Sequence, residues 1–189
     1  DEIKNKAVRI FKTSSVMSTQ FRIIDYLSND TFMLLKVDKS RELYKIFDMF
    51  AKVYESREQQ RSIIVEQTEE NFRRKILCCD ETFPIIAGAL IQNAIKYSIK
   101  NSPVKILISA DNGYCYVDVS NQSNYGTRFN DEVFGKGVRL RNDVSGSGMG
   151  LYLVKKIVEQ HQASLTYQFN DIEDKYTMVT FRLKIKEMA

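Results

Sequence analysis

Residues 145–158 read Ser-Gly-Ser-Gly-Met-Gly-Leu-Tyr-Leu-Val-Lys-Lys-Ile-Val, so glycines on alternate positions lead directly into an apolar-periodic helix. Gly146, Gly148 and Gly150 can adopt backbone angles that are closed to other residues, and they let a polyanion approach the main chain. The first N–H groups and the dipole of the following helix point toward such an anion. The pattern predicts a phosphate-binding loop, and it also fits a helix that packs closely against a sheet.

Two other glycine motifs do not fit this loop. A P-loop places Lys and then Ser or Thr directly after its last glycine, whereas Leu151 and Tyr152 follow Gly150 here. A dinucleotide-binding fingerprint opens the first strand-to-helix turn of a βαβ unit, whereas this loop lies near the C-terminus. A second motif is therefore needed to interpret the site.

That motif is Ala-Leu-Ile-Gln-Asn-Ala-Ile-Lys-Tyr-Ser, residues 89–98, in an apolar-periodic segment. Spacings of three and four put Asn93, Lys96 and Tyr97 on one face of a helix. The other side carries Leu90, Ile91, Ala94 and Ile95. The amide oxygen of Asn93 can join waters and phosphate oxygens around Mg²⁺, and Lys96 can neutralise a phosphate. Taken singly, each of these residues is explained better by an amphipathic helix with a solvated Lys and a capping Asn.

The two motifs together resemble the N box and the G2 box of the Bergerat-fold ATPases, specifically of the catalytic domain of sensor histidine kinases. Between them, Glu-Val-Phe-Gly-Lys-Gly-Val-Arg, residues 132–139, resembles the F box of that family. The order and spacing agree over roughly residues 38–185. The resemblance implies that the chain binds ATP and Mg²⁺ and takes part in phosphoryl transfer.

The resemblance also implies a role for individual residues. Asn93 is expected to hold Mg²⁺, Lys96 a phosphate, Asn121 the adenine, and the amides of residues 146–150 the phosphates. The implied catalytic residues are Asn93, Lys96 and Arg139. The residues expected to bind the nucleotide are Asn93, Lys96, Tyr97, Asn121, Phe134, Lys136, Gly146, Ser147, Gly148, Met149, Gly150 and Leu151.

The implied fold is α+β, a two-layer α/β sandwich of the Bergerat type preceded by a long dimerisation helix. Local patterns agree with this order. A helix follows Asp38 or Ser40, and Asp80 is predicted to cap the N-box helix, with Pro84 in its first turns. A hairpin is predicted over residues 103–120, around Asp111-Asn112-Gly113. Further strands are predicted near residues 62–66, 75–79, 163–169 and 176–185.

Residues 121–146 lack steady periodicity and read as one long connection, which we interpret as a lid over the ATP. Phe134 is expected to close over the nucleotide, while Lys136, Arg139 and Arg141 bring positive charge near the terminal phosphate. An exposed basic loop would have the same composition.

The chain departs from the family pattern at two places. Asn121 stands where the G1 box has the Asp that accepts the adenine amino proton, and Ser123 and Tyr125 replace its glycines and are expected to crowd the adenine pocket. A neutral acceptor in place of a charged one costs roughly 1 kcal/mol. Ala89 stands where many members carry Asn or an acid, and Ala can neither bind Mg²⁺ nor orient an attacking group. Weak or regulated catalysis is therefore expected.

Apolar and small residues of the N-terminal segment recur at alternating spacings of four and three, a heptad seam without Gly or Pro. They are Ile3, Ala7, Ile10, Ser14, Met17, Phe21, Ile24 and Ser28. The family plan places the second helix of a dimerisation and phosphoacceptor hairpin here. We therefore expect a homodimer, with residues 1–36 as the helical segment and residues 37–189 as the ATP-binding domain.

The only histidine, His161, follows the G2 helix and is expected to help close its C-terminus, where a partial positive charge is favoured. The phosphoacceptor then lies upstream of Asp1, or on another chain, or does not exist. Two functions remain open. One is the kinase region of a two-component sensor, which transfers the γ-phosphoryl group to a histidine of a dimeric hairpin and passes it to a response-regulator receiver domain. The other is a degenerate kinase-like regulator that binds nucleotide weakly or not at all and acts by dimerisation or partner docking.

Composition disfavours several other classes of protein. The net charge of +4 is modest and scattered, which disfavours nucleic-acid binding. No stretch approaches the about 18 apolar residues of a membrane span, so we expect a cytoplasmic piece without direct membrane contact, whose full-length protein can still be a membrane sensor. Cys78, Cys79 and Cys115 lack metal-type spacing and are expected to be reduced core residues.

Overall fold

The computed structural model describes Ser14 and residues 36–57, 62–68, 74–139 and 147–188 of the 189-residue chain. Seven strands and three α-helices form within these residues. In chain order they are β1 (Lys39–Glu42), α1 (Leu43–Arg57), β2 (Ile63–Gln67), β3 (Lys75–Cys78), α2 (Phe83–Tyr97), β4 (Val104–Asp111), β5 (Tyr114–Asn124), α3 (Gly150–Gln160), β6 (Ser164–Ile172) and β7 (Tyr176–Lys186). The predicted dimerisation helix lies almost entirely outside the described residues and stays a prediction.

Five strands form one mixed sheet in the order β2-β4-β5-β7-β6. β2 runs parallel to β4, and the other neighbours are antiparallel. β1 and β3 form a separate antiparallel pair. The two chain-adjacent hairpins, β4–β5 and β6–β7, thus sit side by side in the larger sheet.

The sheet buries one face under the helices. Along β4, Val104, Ile106 and Ile108 are at most 1% exposed, whereas Lys105 and Leu107 between them are exposed. This alternation is typical of an antiparallel sheet with one covered face. The core between the layers includes Phe47 and Phe50 of α1, Ile86 and Leu90 of α2, and Val154 and Ile157 of α3. The two-layer α+β architecture is confirmed.

The predicted hairpin is present, and its second strand is longer than expected. Asn112 and Gly113 have φ of 50° and 77°, as a two-residue turn of this kind requires. β5 continues through Asn124 because it stays paired with β7, from Asn121 opposite Val179 to Asn124 opposite Tyr176. The expectation that one connection begins at residue 121 is therefore wrong.

The start of α2 also differs from the prediction. Thr82, and not Asp80, occupies the N-cap position, and Pro84 lies in the first turn as expected. The Asp80 carboxylate instead forms an ion pair with Arg41. The hydroxyl of Thr82 donates to Gln160 at 3.0 Å, which ties the start of α2 to the end of α3.

None of the helices in the described ranges has both the length and the apolar character needed to span a membrane.

Candidate functional site

The N-box side chains are placed by α2 as predicted. Leu90, Ile91 and Ala94 are buried in the core, while Asn93 and Lys96 are half-buried on another side of the helix. Within the part of the chain that the structure describes, neither Asn93 nor Lys96 uses its side chain in a hydrogen bond or ion pair. Both are thus available to a ligand. Tyr97 is half-buried at the end of the same helix.

The G2 loop meets the beginning of α3. Gly146 lies outside the described residues, and Ser147, Gly148 and Met149 lead into a helix that starts at Gly150. Met149 supplies no side-chain cap, and the first turn, which includes Leu151, carries no acidic residue. Since the first N–H groups of a helix lack intrahelical acceptors, this end of α3 can receive an anion.

The two motifs meet at Ala89 and Gly150. A Cβ atom placed on Gly150 would lie 3.8 Å from the Cβ of Ala89, an ordinary van der Waals contact. The residue one turn before Asn93 therefore lies close to the amino end of α3. Ala89, read from sequence only as a missing ligand, has a packing role, because a larger side chain there would reach toward the backbone of Gly150.

Gly148 lies against the F-box segment. It has φ of +71°, and a Cβ atom there would lie 2.5 and 2.6 Å from the carbonyl carbon and oxygen of Gly137 and 2.7 Å from the carbonyl oxygen of Val138. Only glycine allows both this backbone angle and this approach. The sequence placed both glycines in motifs, but it gave no sign that they touch.

Asn121 lies on the inner face of β5 and is 3% exposed. Its amide nitrogen donates to the Ser123 hydroxyl at 3.1 Å, and that hydroxyl donates to the carbonyl oxygen of Tyr97 at 2.8 Å. Tyr125, just beyond the end of β5, is 51% exposed and hydrogen-bonds Asp174, which raises the pKa of its hydroxyl. Ser123 therefore fills the space beside Asn121, and the expectation that Ser123 and Tyr125 crowd an adenine stays a prediction.

The lid region contains a short ordered element. A 3-10 helix spans Asp131–Phe134, and the Asn130 side chain accepts from the backbone N–H of Glu132 at 3.0 Å. Phe134 is 8% exposed and packs near Tyr167 and Phe181, with ring centroids 6.2 and 6.5 Å away. This part of the predicted structureless connection is ordered. Whether Phe134 closes over a nucleotide stays a prediction.

Two of the three cationic residues of the predicted lid lie in the described part of the chain. Lys136 and Arg139 are exposed on the segment that follows the 3-10 helix. Arg141 lies outside the described residues. The expectation that these side chains approach a terminal phosphate is not tested by their positions.

A network that the sequence did not indicate holds the start of this segment. Thr177, fully buried on β7, accepts from the N–H of Gly126 at 3.0 Å and donates to Asp171 at 2.6 Å. Arg128 pairs with the same carboxylate through both of its terminal nitrogens and lowers the pKa of Asp171. Phe129 stacks on Phe181 with centroids 5.7 Å apart. The first residues of the predicted lid are thus anchored to the β6–β7 hairpin.

His161 occupies the C-cap position of α3, as expected from its place in the sequence. The expected positive charge is wrong, because burial lowers its pKa and its Nε2 accepts from the N–H of Cys79 at 3.0 Å. Both ring nitrogens are used inside the protein, so this histidine has a structural role.

The described residues contain no group of three or more His, Cys, Asp or Glu side chains placed to hold a metal ion. Mg²⁺ prefers oxygen ligands and commonly takes only one or two from the protein when phosphates supply others. Among the described residues the Asn93 amide has no hydrogen-bond partner, and it lies one turn after Ala89, which is close to the start of α3. This fits a metal ion that arrives with a nucleotide.

Comparisons with known proteins agree with this arrangement. The family described as histidine kinase-, DNA gyrase B-, and HSP90-like ATPase matches residues 83–187. The sensor histidine kinase HprS of Escherichia coli (strain K12) is 30% identical over 162 residues, which cover 77% of this chain and 34% of that protein. The chain thus spans about a third of the length of this relative.

Solved structures share the fold at low sequence identity. The mycobacterial sensor histidine kinase MprB matches with a TM-score of 0.66 and 19% identity over 80% of this chain and 100% of that chain. The Acinetobacter baumannii histidine kinase AdeS matches with a TM-score of 0.64 and 19% identity over 100% of this chain and 86% of that chain. The family match runs from the start of α2 to the end of β7, and so includes every element that carries the candidate site.

Proposed function

The chain belongs to the family of histidine kinase-, DNA gyrase B- and HSP90-like ATPases, as a catalytic domain of the sensor histidine kinase type, and on that premise we propose that it transfers the γ-phosphoryl group of Mg-ATP to a histidine. The acceptor histidine belongs to a dimeric helical hairpin. A response-regulator receiver domain then takes the group, and the reaction occurs in the cytoplasm.

The closeness of Ala89 on α2 to Gly150 at the start of α3 is the observation that supports this proposal most. α2, whose Asn93 and Lys96 side chains have no partner among the described residues, thus lies close to the start of α3, whose first turn has neither a side-chain cap nor an acid. A triphosphate between them would meet an amide ligand, an ammonium group and backbone N–H donors. Phosphoryl transfer requires mostly positioning and charge neutralisation, and these groups are suited to both.

The individual roles follow from the chemistry of each side chain. The Asn93 oxygen would be the protein ligand of Mg²⁺, and Lys96 would neutralise a phosphate. When bound, Mg²⁺ would offset phosphate charge. The N–H groups at Ser147, Gly148, Met149, Gly150 and Leu151 would hold phosphate oxygens, and Gly146 would extend this set. Lys136 and Arg139 would add charge from the lid.

The acceptor is not His161, because both of its ring nitrogens are engaged and the residue is 7% exposed. We propose that a histidine outside this sequence receives the phosphoryl group. Residues 1–36 would form the second helix of the hairpin and the homodimer contact, and residues 37–189 would form the ATP-binding domain.

Incubation of the full-length protein with γ-labelled ATP and Mg²⁺ tests the proposal. We expect label on histidine in the wild type and none with Asn93→Ala, because the metal ligand is lost. Asn170→Ala is the matched control, since Asn170 is exposed on β6, and it should be labelled normally. Labelling of the Asn93→Ala protein at the wild-type level would contradict the proposal.

The contact of Gly148 with Gly137 and Val138 favours a second candidate function. Carbonyl oxygens repel phosphate, so nucleotide can reach this glycine only if the contact opens. A kinase-like regulator that binds nucleotide weakly, and acts by dimerisation or partner docking, would keep it closed. Calorimetry with a non-hydrolysable ATP analogue and Mg²⁺, together with a phosphorylation assay with ATP, separates the two. Binding without phosphorylation of a supplied partner supports a regulator that still binds nucleotide. Absence of binding excludes the kinase and supports a regulator that keeps the contact closed.

A further inference from the structure

The buried hydroxyl of Ser123 stands between Asn121 and the end of α2. It lies 2.8 Å from the Tyr97 carbonyl oxygen and 3.1 Å from the side-chain amide of Asn121. Ser123 and Asn121 are each 3% exposed, so the hydrogen bond between their side chains is largely shielded from water. The end of α2 is also tied to β5 by the N–H of Ile99, which donates to Gln122 at 2.7 Å.

The chemistry of these groups fixes the direction of each hydrogen bond. A carbonyl oxygen cannot donate, so the single hydroxyl proton of Ser123 goes to Tyr97. The Ser123 oxygen can then only accept, and the atom of Asn121 that faces it must be the NH₂ group. The amide of Asn121 is therefore held in one of its two orientations.

In this orientation the carbonyl oxygen of the Asn121 side chain faces away from Ser123. Among the residues that the structure describes, no group donates to that oxygen. An aspartate would offer an acceptor oxygen in either orientation, whereas an asparagine turned by 180° would offer NH₂. A chain that has Asn at this position therefore needs a neighbouring group that makes the amide oxygen, and not the NH₂ group, face the ligand.

We propose that Ser123 is a specificity-determining residue, which locks the Asn121 amide so that the site accepts a hydrogen bond from a ligand's amino group and rejects a ligand carbonyl. Adenine carries an amino group at C6, and guanine carries a carbonyl oxygen there. The locked amide thus selects ATP over GTP. This inference rests on the proposed function, because it assumes that Asn121 faces the base.

Calorimetric titration of the 189-residue chain with ATP and with GTP, each with Mg²⁺, tests the lock. We expect Ser123→Ala to bind ATP about five- to tenfold more weakly and to lose most of the preference for ATP over GTP. Ser123→Thr keeps the hydroxyl and should keep the preference. An unchanged ATP-to-GTP ratio in Ser123→Ala would overturn the inference.

The same Ser123→Ala change in the Asn121→Asp variant distinguishes an effect on the amide orientation from a merely structural role of Ser123. In Asn121→Asp the orientation no longer matters, so adding Ser123→Ala should leave the ATP-to-GTP ratio within about twofold. An equal loss of preference in both backgrounds would mean that Ser123 only supports the fold, which also overturns the inference. Absence of ATP binding by the wild type would overturn the proposed function itself, and so the two failures are distinguishable.

Discussion

His161 joins the end of α3 to the loop before α2 through Cys79, whose backbone N–H donates to Nε2 at 3.0 Å. Nδ1 lies 2.8 Å from the carbonyl oxygen of Ile157. Because Nε2 accepts, the ring proton is on Nδ1 and is donated to Ile157. The Phe83 ring packs against the imidazole edge with centroids 5.2 Å apart. This arrangement requires a neutral ring.

The free energy of unfolding should therefore depend on pH through His161. Burial lowers the pKa of the folded protein below the ordinary 6.5, so below pH 6.5 the unfolded chain takes up a proton before the folded protein does. The stability contributed by the neutral ring is complete above that pH and is lost as the pH falls through the folded-state pKa. Urea denaturation between about pH 7.5 and about pH 5 should show this loss.

His161→Gln is the comparison for this prediction, because Gln does not titrate and the carboxylates titrate alike in both proteins. We expect the variant to be less stable near neutral pH and to have a flatter pH dependence. Parallel pH curves for the two proteins would contradict a neutral His161.

The fold could be predicted where local patterns are strong. The predicted helix after Asp38 or Ser40 and the hairpin around Asn112-Gly113 both formed, because each depends on neighbouring residues. The last residues of β5, Asn121–Asn124, are polar and look like a loop. They continue the strand because β7, more than 50 residues later, pairs with each of them.

The site could be predicted to a lesser extent. Asn93, Lys96 and the G2 loop were identified from motifs, and their neighbourhood follows from the contact of α2 with α3. The closeness of Gly148 to Gly137, 11 residues earlier in the chain, is a contact that neither motif indicates by itself. Thr177 and Asp171 likewise resemble ordinary strand and turn residues until the fold brings Gly126 to them.

The three cysteines should be unreactive in the folded protein. All are buried and free, and burial raises the pKa of Cys78 to about 12 and that of Cys115 to about 11. The reactive thiolate is therefore scarce at pH 8 and shielded from reagents. A chromogenic disulfide reagent should titrate no thiol in the native protein and all three in urea. Rapid reaction of any thiol without denaturant would contradict this packing.

Alanine should destabilise the protein strongly at Gly148 and have little effect at Gly150. At Gly148 the backbone is left-handed and a Cβ would collide with Gly137, so Gly148→Ala should cost more than the about 1–2 kcal/mol of that backbone angle alone. At Gly150 the position is helical and the nearest side-chain atom is 3.8 Å away, so alanine should change stability by less than about 1 kcal/mol. Urea midpoints followed by circular dichroism measure both. Equal midpoints would show that the Gly148 contact is dispensable.

The buried hydroxyl of Thr177 should contribute strongly to holding Gly126, at the start of the predicted lid, against the β6–β7 hairpin. Thr177→Val removes a fully buried hydroxyl, which leaves the N–H of Gly126 without its acceptor and Asp171 without one donor, and we expect a loss of about 1–3 kcal/mol. Thr180→Val on the same strand is the control. Thr180 shares one hydrogen bond with the Ser120 hydroxyl at 2.8 Å, so its loss should cost only about 0.5–1.5 kcal/mol.

Amide hydrogen exchange gives this last prediction a local readout. The N–H of Gly126 is held by the Thr177 hydroxyl, so its exchange should accelerate in Thr177→Val beyond the change expected from global stability. In Thr180→Val the exchange at Gly126 should follow global stability alone. If Gly126 exchanged at the same relative rate in both variants, the start of the lid would be held by Arg128 and Phe129 packing and not by the buried hydroxyl.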